Sequence, residues 1–195
     1  MRLRRIAILF LVGFASVSLI GVLSPTVIVP PSAPAAPVTA YVVDQGFHAG
    51  LVLPDRNGGL IQYAYGDWNY FALNQQGLSD GLAALLIPTQ GTLGRRKFSN
   101  VAELEQWVGD ETLLSLAVTG TKAVKLLDSL NARFNRHIDT HVENQVTGLT
   151  LVQDDLDYTL FHNSNHELVV WLEELDCRVE GFVLLSNFQV KSPKD

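Results

Sequence analysis

The chain reads as α+β, an antiparallel sheet with packed helices, and three features carry that expectation. Three strand-length runs follow one another early: residues 39–43 (TAYVV), 48–53 (HAGLVL) and 60–65 (LIQYAY). They are separated by turn glycines at Gly46 and at Gly58-Gly59, the pattern of a meander. Late in the chain, within residues 160–175 (LFHNSNHELVVWLEEL), a polar knot opens into a helix. Leu168, Trp171, Leu172 and Leu175 recur there at i, i+3, i+4 and i+7, one stripe facing a core. Between these landmarks helices and strands mix without a βαβ rhythm, which favours α+β over a doubly wound sheet.

Taken in order, residues 25–37 (PTVIVPPSAPAAP) are proline-rich and read as an extended spacer. After the meander, the aromatic segment GDWNYFALNQQG reads as irregular. Leu78, Leu82, Leu85 and Leu86 then mark a short helix stopped by Pro88. Residues 91–98 read as a further strand. Asn100 and Glu103 have capping-box spacing for a helix burying Val101, Leu104 and Val108. Residues 113–118 (LLSLAV) read as a strand, and a longer helix after Thr119 presents Ala123, Leu126, Leu127, Leu130 and Phe134 on one face. Residues 149–153 and 182–190 (FVLLSNFQV) are the last expected strands.

The 195 residues suit one domain, residues 38–195, behind a targeting segment, residues 1–24, and the spacer, residues 25–37. Arg2, Arg4 and Arg5 precede an uncharged run over residues 6–23, long enough for a short membrane span. The positive-inside bias then predicts a single-pass inner-membrane protein with its C-terminal domain facing the periplasm or exterior, or an exported one if the segment is cleaved. The membrane is thus an expected partner through that N-terminal helix. Without residues 1–24, 11 basic face 20 acidic residues, a net charge of -9, which argues against nucleic acid as a partner. Lone Cys177 excludes an internal disulfide and a multi-thiolate metal site. No P-loop, Rossmann fingerprint or GxSxG elbow is present, and no cofactor is implied.

Three blocks, VVDQGFHAGLVLP, YAYGDWNYFA and YTLFHNSNHELVVWLEELDCRVEG, resemble in their order the signature blocks of an uncharacterised bacterial family. Its members are membrane-anchored or exported conserved hypothetical proteins of the urease gene region. That family in turn resembles circularly permuted papain-like proteins of the NlpC type, the superfamily of lecithin retinol acyltransferase relatives. The resemblance implies an amide or ester hydrolase or acyltransferase with His48 as base and Ser164 at the nucleophile position, inside Asn163-Ser164-Asn165. A cysteine is expected there, because a helix N-terminus and an imidazolium stabilise a thiolate. A serine instead needs His48 as a true general base, a third group to orient it and donors for an oxyanion.

Asp67 is the first choice for that third group and Gln62 the second. Asn163 and Asn165 either donate near the nucleophile or cap the helix. Trp68, with Tyr63, Tyr65, Tyr70 and Phe71, either lines a groove for an acyl chain or sugar or packs in a core. Cys177 is a poor nucleophile, at a helix C-terminus beside Glu173, Glu174 and Asp176. A different class comes from the i, i+4 pairs His137/His141 and His162/His166, which on helices would share a face and could hold a metal. The expectations are a Ser-His enzyme on a cell-envelope peptide, lipid or glycan, a related domain that binds without chemistry, or a histidine-ligated metal protein.

Overall fold

The structure, a computed structural model, describes residues 24–75, 77 and 87–193. The strands are β1 (Thr26–Val29), β2 (Pro37–Asp44), β3 (Ala49–Pro54), β4 (Leu60–Asp67), β5 (Thr89–Phe98), β6 (Thr112–Thr119), β7 (Val142–Asn144), β8 (Leu149–Tyr158), β9 (Arg178–Glu180) and β10 (Phe188–Val190). Among the described residues three α-helices accompany them: α1 (Val101–Val108), α2 (Gly120–Arg136) and α3 (Ser164–Glu174). Seven strands pair in the order β6-β2-β3-β4-β5-β8-β7, all antiparallel, and β10-β1-β9 form a separate small sheet. The α+β class and the antiparallel sheet with packed helices are therefore as the sequence predicts.

Both faces of the large sheet are covered, and strand alternation decides which residue goes where. Ala49, Leu51 and Leu53 of β3 join Ile61, Tyr63 and Tyr65 of β4 in one core, completed by Leu126, Leu127, Leu130 and Phe134 of α2 and by Leu168, Trp171, Leu172 and Leu175 at α3. The intervening residues face the other way. Val43, Val52, Leu60 and Phe98 pack with Leu104 and Val108 of α1. Further along this second face Ala64, Ala72, Leu149 and Leu151 form a cluster with Trp68 and Phe71.

Local chemistry explains the joints. The β2–β3 hairpin turns on Gly46-Phe47, with Gly46 at φ 81° and the Gln45 N–H donating to the His48 carbonyl at 2.9 Å. A glycine at the first central position suits a two-residue II′ turn. Asn100 Oδ1 accepts from Glu103 N at 3.0 Å, while Glu103 Oε2 accepts from Ser99 N at 2.7 Å, so the reciprocal half of the capping box reaches one residue further back. Asp67 caps the five-residue π-helical turn Trp68–Ala72 by accepting from Tyr70 N.

Three expectations are corrected, and a fourth falls outside the described residues. No helix among the described residues is long and apolar enough to cross a membrane, which overturns the anchored, single-pass, periplasm-facing reading; residues 6–23, which carried it, lie outside the described residues. Residues 25–37 are not a spacer throughout, because β1 is the middle strand of the small sheet and Ile28 has no exposed surface. The β-branched run TVIV is flanked by prolines rather than interrupted by them, so its ladder donors survive. The closing strand shrinks to Phe188–Val190. The helix expected over residues 78–86 lies outside the described residues.

If β1 belongs to the fold, Ile28→Ala costs about 2–5 kcal/mol in urea unfolding, the range for truncating a fully buried aliphatic side chain. A spacer residue would cost within about 0.5 kcal/mol.

Candidate functional site

Helix α3 begins at Ser164, and Asn163 is its N-cap. Asn163 Oδ1 accepts from the backbone N–H groups of Asn165 at 3.0 Å and His166 at 3.2 Å, and from His166 Nδ1 at 2.8 Å. An amide oxygen only accepts, so this contact puts the His166 proton on Nδ1. Burial, then the nearby His162, lowers the His166 pKa. The Glu167 N–H bonds to the Asn163 carbonyl at 3.0 Å. Three of the backbone donors at the helix start are thus taken up by the cap residue. Asn165 is buried, with its Nδ2 donating to the Leu184 carbonyl at 3.4 Å, a long contact.

Ser164 is buried, and its hydroxyl makes no hydrogen bond among the described residues. His48 does not supply one. Its ring lies against Phe71, with centroids 4.6 Å apart, and its Nε2 is enclosed without a hydrogen-bond partner. Phe71 belongs to the cluster on the second face of the sheet, whereas α3 packs on the first. One residue of strand alternation separates them: Ala49 turns toward α3 and His48 turns away. His166, two residues along the helix from Ser164, does not face it either.

The other expected residues are placed as follows. Asp67 accepts from Tyr70 N–H at Oδ1, 2.7 Å, and from the Thr89 hydroxyl at Oδ2, so it holds a turn and orients no imidazole. Gln62 is buried on the second face, opposite Val52 and Arg96 in register. Trp68 opens the π-helical turn and packs in its apolar cluster. Tyr63 and Tyr65 are in the main core.

Cys177 has a structural explanation. Asp176 takes φ 63°, its N–H bonds the Glu173 carbonyl and the Cys177 N–H bonds the Leu172 carbonyl, a Schellman ending that buries Cys177. Burial, then Asp176, pushes its thiol up to about 11.

The histidine pairs share no helix face. Helix α2 ends at Arg136, so His137 is past its last turn, bonded to Asp155, and His141 contacts the Ile138 carbonyl. His162 precedes α3 and bridges Thr159. No group of three or more His, Cys, Asp or Glu among the described residues is placed to hold a metal ion.

What sequence reasoning missed is a buried ionic network beside this helix start. Arg133 of α2 clamps Asp154 of β8 through Nε at 2.7 Å and Nη2 at 2.9 Å, and gives Nη1 to Glu167 of α3. Glu167 Oε1 also accepts from Trp171 Nε1 at 3.1 Å, and the Arg133 guanidinium lies 5.6 Å from the Tyr65 ring centroid. His162 Nε2 is 3.3 Å from Glu167 Oε2 without hydrogen-bond alignment. Burial alone would lower the Arg133 pKa; Asp154 and Glu167 outweigh it and raise it. The signal in the sequence was Glu167 itself, an acid one position from Leu168 and four from Trp171, inside the buried stripe.

The chain matches no family model, no curated protein and no solved structure among those it was compared with.

Two outcomes follow. Arg133→Met leaves two buried carboxylates uncompensated and costs about 3–5 kcal/mol in urea unfolding. Burial lowers the His48 pKa to about 4, so the folded state disfavours its charged form. The stability tied to neutral His48 is then full above pH 6.5 and declines as pH falls toward 4, by about 3 kcal/mol. His48→Phe should flatten that part of the stability curve, and the His48 ring should titrate near pH 4 by NMR.

Proposed function

We propose that this protein is a binding domain on a permuted papain-like scaffold that has given up acyl-transfer chemistry. The scaffold reading rests on the resemblance of the three sequence blocks and is supported only by the coarse architecture, an antiparallel sheet with packed helices. The loss of chemistry rests on the isolation of the Ser164 hydroxyl. A serine acylates only with a base at hydrogen-bond distance and free donors for the oxyanion. Here the His48 ring nitrogen is enclosed against Phe71, and Asn163 Oδ1 occupies the N–H groups of Asn165 and His166.

Ser164→Cys tests this directly. A thiol at this position should react with iodoacetamide at pH 7 no faster than free cysteine, at a rate unchanged by His48→Gln. Peptide mapping separates it from Cys177, whose raised thiol pKa keeps it slow. Labelling ten or more times faster than free cysteine, and lost with His48→Gln, would overturn the binding reading and restore a hydrolase or acyltransferase.

A further inference from the structure

Two polar atoms are buried without hydrogen-bond partners on the second face of the sheet: Nε2 of His48, and Oε1 of Gln62, a residue 2% exposed. An unpaired buried donor or acceptor costs on the order of 1–3 kcal/mol, so two on neighbouring strands call for a reason. In the β3–β4 register Gly50 faces Ala64 and Val52 faces Gln62, which puts His48, Gly50 and Gln62 on one side of adjacent strands.

Gly50 keeps the space between them free of a side chain. A Cβ there would sit 3.2 Å from Gln62 Nε2, so the Gln62 amide leans across Gly50 toward the end of β3 that His48 begins. The surroundings are apolar, with Phe71 against the imidazole and Val43 and Val52 on the same face. His48 as a residue is half-buried, so its exposed part marks the end of the site nearest the surface, where β3 starts.

The chemistry of the walls selects the ligand. Burial keeps His48 uncharged at neutral pH. Arg96, next to Gln62 in register, is already committed: it stacks on Phe98 and Trp107 and donates to the Thr147 carbonyl. A cation would enter without a countercharge, and an anion would meet only a guanidinium already stacked on Phe98 and Trp107, so burial penalises either. A neutral group with both a donor and an acceptor meets both walls.

We propose that His48 and Gln62 hold a neutral, peptide-type amide ligand, its N–H donating to Gln62 Oε1 and its carbonyl accepting from His48 Nε2–H. This deepens the binding reading above and rests on it for the role of the domain, though not for the site itself.

The test is an NMR titration of the full chain, ¹⁵N-labelled, with N-acetylglycinamide, and with N,N-dimethylacetamide and acetate as comparison probes. The imidazole nitrogens of His48 and the side-chain amide of Gln62 should shift saturably with N-acetylglycinamide, in the millimolar range ordinary for so few atoms, roughly. Dimethylacetamide, which has no N–H, should bind at least several-fold more weakly, and acetate should leave both resonances unmoved. Gln62→Leu should keep the folded spectrum and weaken the His48 response at least tenfold. Should that variant fail to fold, the three probes on the unmodified chain decide the matter alone. No saturable shift, an equal response to acetate, or an unweakened response in folded Gln62→Leu overturns the site. Slow iodoacetamide labelling at Ser164→Cys with no amide response sinks this inference and leaves the binding reading standing. Fast, His48-dependent labelling with an amide response does the reverse.

Discussion

Burial of β3 and β4 on both faces is the constraint from which the rest follows. Every residue of β4 is buried, and β3 is buried from Ala49 to Leu53. A strand packed on both sides cannot slip by one residue without exchanging its two cores, so the facing of each side chain is held by the whole sheet. That is why the position of His48 one residue before Ala49 matters. Ala49 faces the core built with α3, and His48 is carried to the side of Phe71. No local rearrangement of the imidazole alone brings it to Ser164; the hairpin at Gly46-Phe47 would have to change register.

The Arg133 network holds α3 to its neighbours on the first face. It ties α2, β8 and α3 through one guanidinium and two buried carboxylates, and Trp171 adds a fourth contact from within the helix. Such a cluster contributes little net stability against apolar replacements, because desolvation offsets attraction, but it tolerates few alternative arrangements. Paired with the Asn163 cap, it sets both the start and the rotation of α3. The apolar stripe alone would allow the helix to roll, and a buried Glu167 does not.

Much of the fold was legible in the sequence because its signals were local. The meander followed from runs such as LIQYAY between turn glycines, and the α3 stripe from Leu168, Trp171, Leu172 and Leu175, which are all buried. The Asn100 cap followed from spacing alone. Strands without local signals were lost: β1 hides among prolines, and β9 and β10 are three residues each, formed by pairing with β1 rather than by their own propensity. The metal reading failed for a related reason, since i, i+4 spacing places histidines together only on a helix, and His137 and His162 lie just outside theirs. The Arg133 network joins residues 21 and 34 positions apart, beyond any window of periodicity.

The candidate site shows the same limit in its sharpest form. Spacing can say that a histidine leads a strand and a serine begins a helix, but whether they meet depends on a single step of strand alternation, and a sequence window gives that step no sign. Serine in place of cysteine narrows the outcome. A thiolate gains from a helix N-terminus even when its base is remote, whereas a neutral hydroxyl gains almost nothing from the dipole and needs the base in contact. With Asn163 already satisfying the Asn165 and His166 donors, the Ser164 hydroxyl contributes packing at the start of α3, and the polar atoms left unpaired on the second face of the sheet lie across it, at His48 and Gln62.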